Sequence, residues 1–186
     1  MPLITQRKDV LSIYEEAGRN HWVLPCFCTE NLTTTEAILS AVSAYGAENG
    51  ISDLPVIIAM TVRYSHRTQA AYYTHTRQWA TGLRLFLADL GVLTAPGAPF
   101  ANLRVMIHLD HIQFDDDHAL LGWDLSPFSS IMFDASKVPF AENIALTSAF
   151  VREQRNNIVI EGACDEIVDA TGAQRSELTT PEHAVR

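Results

Sequence analysis

The chain has few cysteines, no long apolar run and no excess of positive charge, and each shortage excludes something. Three cysteines among 186 residues, Cys26, Cys28 and Cys164, cannot all pair, so a disulfide framework is not expected. Cys26-x-Cys28 lacks the spacing of a zinc knuckle or a redox pair; its thiols read as buried and inert. No stretch approaches the roughly 18 apolar residues of a membrane span. The polar opening, residues 1–9, has no signal-peptide core, so the cytoplasm is the default location. A formal net charge of −9 leaves no basic face for a phosphate backbone, which argues against nucleic acid as a partner.

What is present is an ordinary globular composition, 47% hydrophobic and 19% charged, long enough for one sizeable core. Apolar periodicity of helical spacing runs over residues 9–20, 31–47, 68–90 and 139–155. Pro139 suits the first turn of the last of these. Apolar runs of strand length and composition lie at 22–28, 55–61, 104–111, 130–136 and 157–164. Strands recurring about every 25 to 50 residues with helices between them predict βαβ units and a parallel sheet. Residues 165–178 read as loop. Thr180-Pro181-Glu182 has the cap, N1 proline and acidic residue of a first helical turn. The sequence stops where that helix should begin, which reads as an α/β fold cut partway, one domain over 1–186.

The run Arg104 to His111 carries the chemistry. It is apolar at first and ends in three ionisable residues, His108, Asp110 and His111. Such groups are costly to bury alone, so the strand should open onto a cleft at its carboxyl end. Asp110 and His111 read as an acid/base and a metal ligand; a solvated strand end is the plainer alternative. His108 reads as a satisfied structural histidine. Other strands also finish in polar groups, Thr61, Asp134 with Ser136, and Glu161, as the catalytic face of a barrel requires. Glu161 reads more readily as a hydrogen-bonded strand end than as a catalyst, and Asp134 equally as a brace for Ser136. Asp115-Asp116-Asp117-His118 reads as a solvated helical first turn, since consecutive residues splay around a helix.

His108-Leu109-Asp110-His111 matches the HLDH of the class II, zinc-dependent fructose- and tagatose-bisphosphate aldolases. The run SIMFDASKVPFAENIALT at 130–147 resembles that family's SVMIDGSHLPFEENIALT almost position by position. Residues 24–32 resemble V-P-A-F-N-x-x-N-L, 159–162 resemble the start of V-E-G-E-L-G, and 178–185 resemble the L-T-D-P-E-E-A segment.

The resemblance implies a (β/α)8 barrel of which about five parallel strands are present. It implies a lyase of carbohydrate metabolism that splits a ketose phosphate into dihydroxyacetone phosphate and an aldehyde. Asp110 would be the catalytic acid/base at the C4 hydroxyl. His111 would be one of three histidines on a zinc ion that polarises the ketose carbonyl. Asp134 matches a second metal position, Thr61 a phosphate contact, and Asn31 the second asparagine of F-N-x-x-N, a substrate contact. Homodimers or homotetramers are implied as well.

The departures are as specific. Ala163 stands for the second glutamate of V-E-G-E-L-G, Ile112 for a glycine, and Cys28 for the first asparagine of F-N-x-x-N. The Gly-Gly-x-Glu-Asp loop with its proton-abstracting glutamate is absent; 168–172 reads VDATG. The other two zinc histidines belong to strands beyond the fifth. A catalytically silent relative with a structural or partner-dependent role is therefore the second expectation.

Overall fold

The structure, a computed structural model, describes residues 3–64, 67–164 and 179–185. Five parallel strands lie in sequence order: β1 (Cys26–Cys28), β2 (Pro55–Met60), β3 (Arg104–Gln113), β4 (Ser130–Asp134) and β5 (Val159–Gly162). Between and around them run α1 (Arg7–Asn20), α2 (Leu32–Glu48), α3 (Gln69–Tyr72), α4 (Trp79–Leu93), α5 (His118–Leu121), α6 (Phe140–Gln154) and α7 (Pro181–Ala184). Order without strand crossing is that of a barrel wall, and among the described residues the wall is not closed, with β1 and β5 at its edges. The predicted incomplete (β/α)8 barrel is thus the fold observed.

The two faces of the sheet follow strand alternation. Val56, Ile58, Met60, Val105, Ile107, Leu109, Ile131 and Phe133 point outward and make the main core with Leu39, Leu83, Phe86 and Phe150 of the helices. Ile57 and Met106 point inward, where Val10 and Ile13 of α1 cover them. Helix α1 therefore plugs the amino-terminal end of the wall, and Arg104 Nη1 pins it through Glu16 Oε2 at 2.7 Å. That leaves the opposite end, where the strands finish, open for a site. An apolar cavity of about 980 Å³ lies elsewhere, along edge strand β1 and the flank of α2, lined by Trp22, Phe27, Ile38 and Tyr45 among others.

Two expectations need correction, and a third is not reached by the described residues. The helical period at 68–90 is two helices, because Arg77 takes a left-handed φ of 60° and residues 73–78 turn the chain. This folds α3 back onto α4 at Gly82, where a Cβ would sit 1.9 Å from the Ala70 carbonyl oxygen. Pro139 is the N-cap of α6, outside its first turn. The loop expected at 165–178 lies outside the described residues. The cap predicted for the last helix is present: Thr180 Oγ1 accepts from His183 N at 3.3 Å.

Candidate active site

A bulge in β3 builds the site. β3 and β4 stay in register at His108↔Ser130 and Leu109↔Ile131, then resume at Ile112↔Phe133. Three steps on one strand oppose two on the other, so one residue is extra. His111 absorbs it with φ 47°, in the left-handed region that costs a side-chain-bearing residue about 1–2 kcal/mol. Strict alternation would send Asp110 and His111 to opposite faces. With the bulge, Leu109 and Ile112 both stay in the outer core, and the two polar residues stand together at the carboxyl end.

Each is held from a different strand, Asp110 from β1 across the intervening β2 and His111 from the adjacent β4. Asp110 Oδ2 accepts from the Cys28 thiol of β1 at 3.4 Å, and its Oδ1 lies 3.9 Å from His108 Nε2. His108 is buried, and its Nδ1 is 2.8 Å from Ser130 Oγ, as a structural histidine should be. Burial lowers its pKa, with the Asp110 charge opposing. His111 Nδ1–H donates to Asp134 Oδ2 at 2.9 Å, and the Tyr64 ring stacks on the imidazole at 4.5 Å and 10°. That hydrogen bond raises the His111 pKa against the effect of burial. Burial pushes the Asp134 carboxyl up, but its bonds to His111 and Ser136 outweigh this and hold it below the usual range.

Asp134 is saturated. Its Oδ2 also accepts from Gln113 Nε2 at 2.6 Å, and Oδ1 accepts from Ser136 N at 2.9 Å and Ser136 Oγ at 2.6 Å. This is a carboxylate orienting an imidazole, the arrangement that leaves Nε2 of the ring for a metal. Glu161, on the open side of β5, has its carboxyl raised, first by partial desolvation and then by the Asp110 charge. Asp110, His111, Asp134 and Glu161 therefore form one electrostatically linked group.

Thr61 and Asn31 are placed differently. The Thr61 hydroxyl is buried and donates to the Arg67 carbonyl, while Thr61 N donates to Gln69 Oε1 at 2.9 Å. Asn31 caps α2, accepting from Thr34 N at 2.9 Å. The thiols are also not as expected: Cys26 is exposed and Cys28 half-buried. They are nonetheless unreactive in acid–base terms, since burial and the Asp110 charge push them up to about 11 and about 12.

Two contributors escaped the sequence reading. Tyr64 carries no motif of its own, although it follows Thr61 closely in the loop after β2. Asp117 was expected to be solvated; it is 1% exposed, and its Oδ2 accepts from Gln113 N at 3.0 Å. Burial pushes its pKa up to about 6. Oδ1 of Asp117 and Oε1 of Gln113 are both buried without a hydrogen-bond partner. The folded state thus binds this proton more tightly than the unfolded chain. Stability from Asp117 is complete at low pH and is lost as pH rises from the ordinary carboxylate range through about 6. Asp117→Asn is accordingly expected to stabilise the fold by about 2 kcal/mol at pH 7 and hardly at all at pH 4. Urea denaturation at the two pH values checks this; an equal effect at both would contradict it.

Among the described residues no group of three His, Cys, Asp or Glu side chains could hold a metal ion. His111 Nε2 suits one zinc bond, but a catalytic site needs three protein ligands. The described residues alone do not fit a zinc site.

Comparisons with known proteins bear on the family and the fold. The family model described as Fructose-bisphosphate aldolase class-II matches residues 8–186. The chain is 24% identical over 176 residues to a fructose-bisphosphate aldolase of Treponema pallidum, covering 91% of this chain and 47% of that protein. It is 32% identical over 152 residues to one of Streptococcus pyogenes serotype M3, covering 82% and 42%. The crystal structure of fructose-bisphosphate aldolase from Campylobacter jejuni superposes with a TM-score of 0.67 at 18% identity, covering 87% of this chain and 47% of that one, a likeness of fold. The chain spans about half the length of the curated relatives it matches.

Proposed function

The chain belongs to the class II fructose-bisphosphate aldolase family, and on that premise we propose that the protein cleaves a ketose phosphate into dihydroxyacetone phosphate and an aldehyde, and runs the reverse condensation. The supporting observation is the β3 bulge. It brings the carboxylate and imidazole of the HLDH motif side by side at the open end of the wall, each tied to a different strand.

Asp110 acts on the substrate. In cleavage the C4 hydroxyl proton passes to its carboxylate, the C3–C4 bond breaks, and its electron pair stays on the C3 fragment as an enediolate. Condensation returns the proton to the new C4 oxygen. Cys28 keeps Asp110 in place, with His108 3.9 Å from its other oxygen. Glu161, with its raised pKa, stands within electrostatic range of Asp110 and is the further acid/base candidate. The proposal retains a phosphate contact for Thr61 and a substrate contact for Asn31, each requiring its present hydrogen bonds to yield. Zinc is proposed as cofactor with His111 as one ligand, the others lying outside the described residues; Asp134 orients His111 in its absence and is the candidate second-metal position. A homodimer or homotetramer is proposed as the assembly.

The test is a coupled assay on the purified protein with fructose and tagatose 1,6-bisphosphates, before and after chelation and after zinc is restored. Cleavage that disappears on chelation and returns with zinc is expected. No cleavage of either sugar by zinc-loaded, folded protein refutes the proposal.

A further inference from the structure

Asp110 has a neighbour at each oxygen, and only one of the two is within hydrogen-bond distance. On one side stands His108, whose other ring nitrogen is fixed by Ser130 of β4. On the other stands the thiol of Cys28, the last residue of β1 and the only contact from that strand to the carboxylate among the described hydrogen bonds. A carboxylate on a bulge has no regular ladder on either side of it to fix its direction. The thiol hydrogen bond therefore decides where its oxygens point.

We propose that Cys28 is the positioning residue for Asp110, its S–H donating to Oδ2 and holding the carboxylate toward the open end of the strands. The proposal rests on the role given to Asp110 above. Cys28 stands where the resembled motif has asparagine, another side chain able to donate a hydrogen bond. The replacement functions as a donor because the thiol keeps its proton: burial first, and the adjacent Asp110 charge next, push it up to about 12. Cys26 shares the strand face two residues away but is exposed, which makes it the internal control.

Two readouts test this, one independent of catalysis. In the infrared spectrum, the S–H stretching band lost in Cys28→Ala is expected at lower frequency than the band lost in Cys26→Ala. It is expected to move up when Asp110→Ala removes the acceptor. An unmoved band in folded Asp110→Ala protein overturns the proposal. In the cleavage assay, Cys28→Ala is expected to lower kcat roughly five- to tenfold with KM little changed, the size of one ordinary hydrogen bond, as suits a weak thiol donor. Cys28→Ser and Cys28→Asn, which keep a donor, are expected to recover most of it. Equal losses in alanine, serine and asparagine variants overturn the positioning role. Should the protein cleave neither sugar, the functional proposal fails while the infrared result still decides whether the thiol holds Asp110.

Discussion

Replacing Asp110 with asparagine is expected to cut kcat for ketose phosphate cleavage by about 10²- to 10⁴-fold, the usual contribution of a positioned acid/base. The substitution keeps the volume and an acceptor oxygen but cannot take a proton. The Asp110 side chain is 21% exposed, open enough for a substrate hydroxyl and closed enough to be oriented by Cys28. Because the change removes a transition-state interaction, KM should move much less than kcat. The thermal midpoint should stay near that of the parent, which separates lost chemistry from lost folding. Steady-state kinetics on folded Asp110→Asn protein decides the matter, and retention of more than a tenth of the parental kcat would remove Asp110 from the proton-transfer role.

Gly82→Ala carries the largest expected effect on stability. The added methyl would stand 1.9 Å from the Ala70 carbonyl oxygen and 3.0 Å from its carbon, both backbone atoms. Backbone cannot swing aside as a side-chain end can, so α3 must lift from α4. Overpacking of this kind costs about 3 kcal/mol, enough to lower Tm by about 6–12 °C for a chain of this length. Gly91 on the same helix is the control: nothing lies within 4 Å of its Cβ position. Gly91→Ala should gain up to about 1 kcal/mol from helix propensity. Calorimetry on the two variants should therefore give shifts of opposite sign; a shared sign would show that the α3–α4 contact is softer than the structure has it.

Much of the frame was legible from residue order. The five strands and helices α1, α2 and α6 lie within a few residues of where periodicity places them, because burial of an apolar face is a local, repeating demand. The single long helix expected at 68–90 failed for a local reason that periodicity does not register, the left-handed Arg77 and its turn. Asp117 failed for a non-local one. Its neighbours Asp115 and Asp116 are exposed as expected, but the chain carries Asp117 under Gln113, where no run of charges predicts burial.

The site divides in the same way. HLDH and the run at 130–147 name Asp110, His111 and Asp134 as residues with chemistry. Their mutual roles depend on which strands adjoin and in what register. Asp134 lies 23 residues from His111 in sequence and 2.9 Å from it in space, and Cys28 reaches Asp110 across 82 residues. Residue order by itself determined the strand–helix alternation, the family and the candidate side chains of the site, since these rest on side-chain chemistry and short-range pattern. Only the tertiary structure decided that β3 bulges at His111, that Asp134 orients an imidazole, and that a thiol donates to the Asp110 carboxylate, because cross-strand hydrogen bonds are set by how separate segments pack.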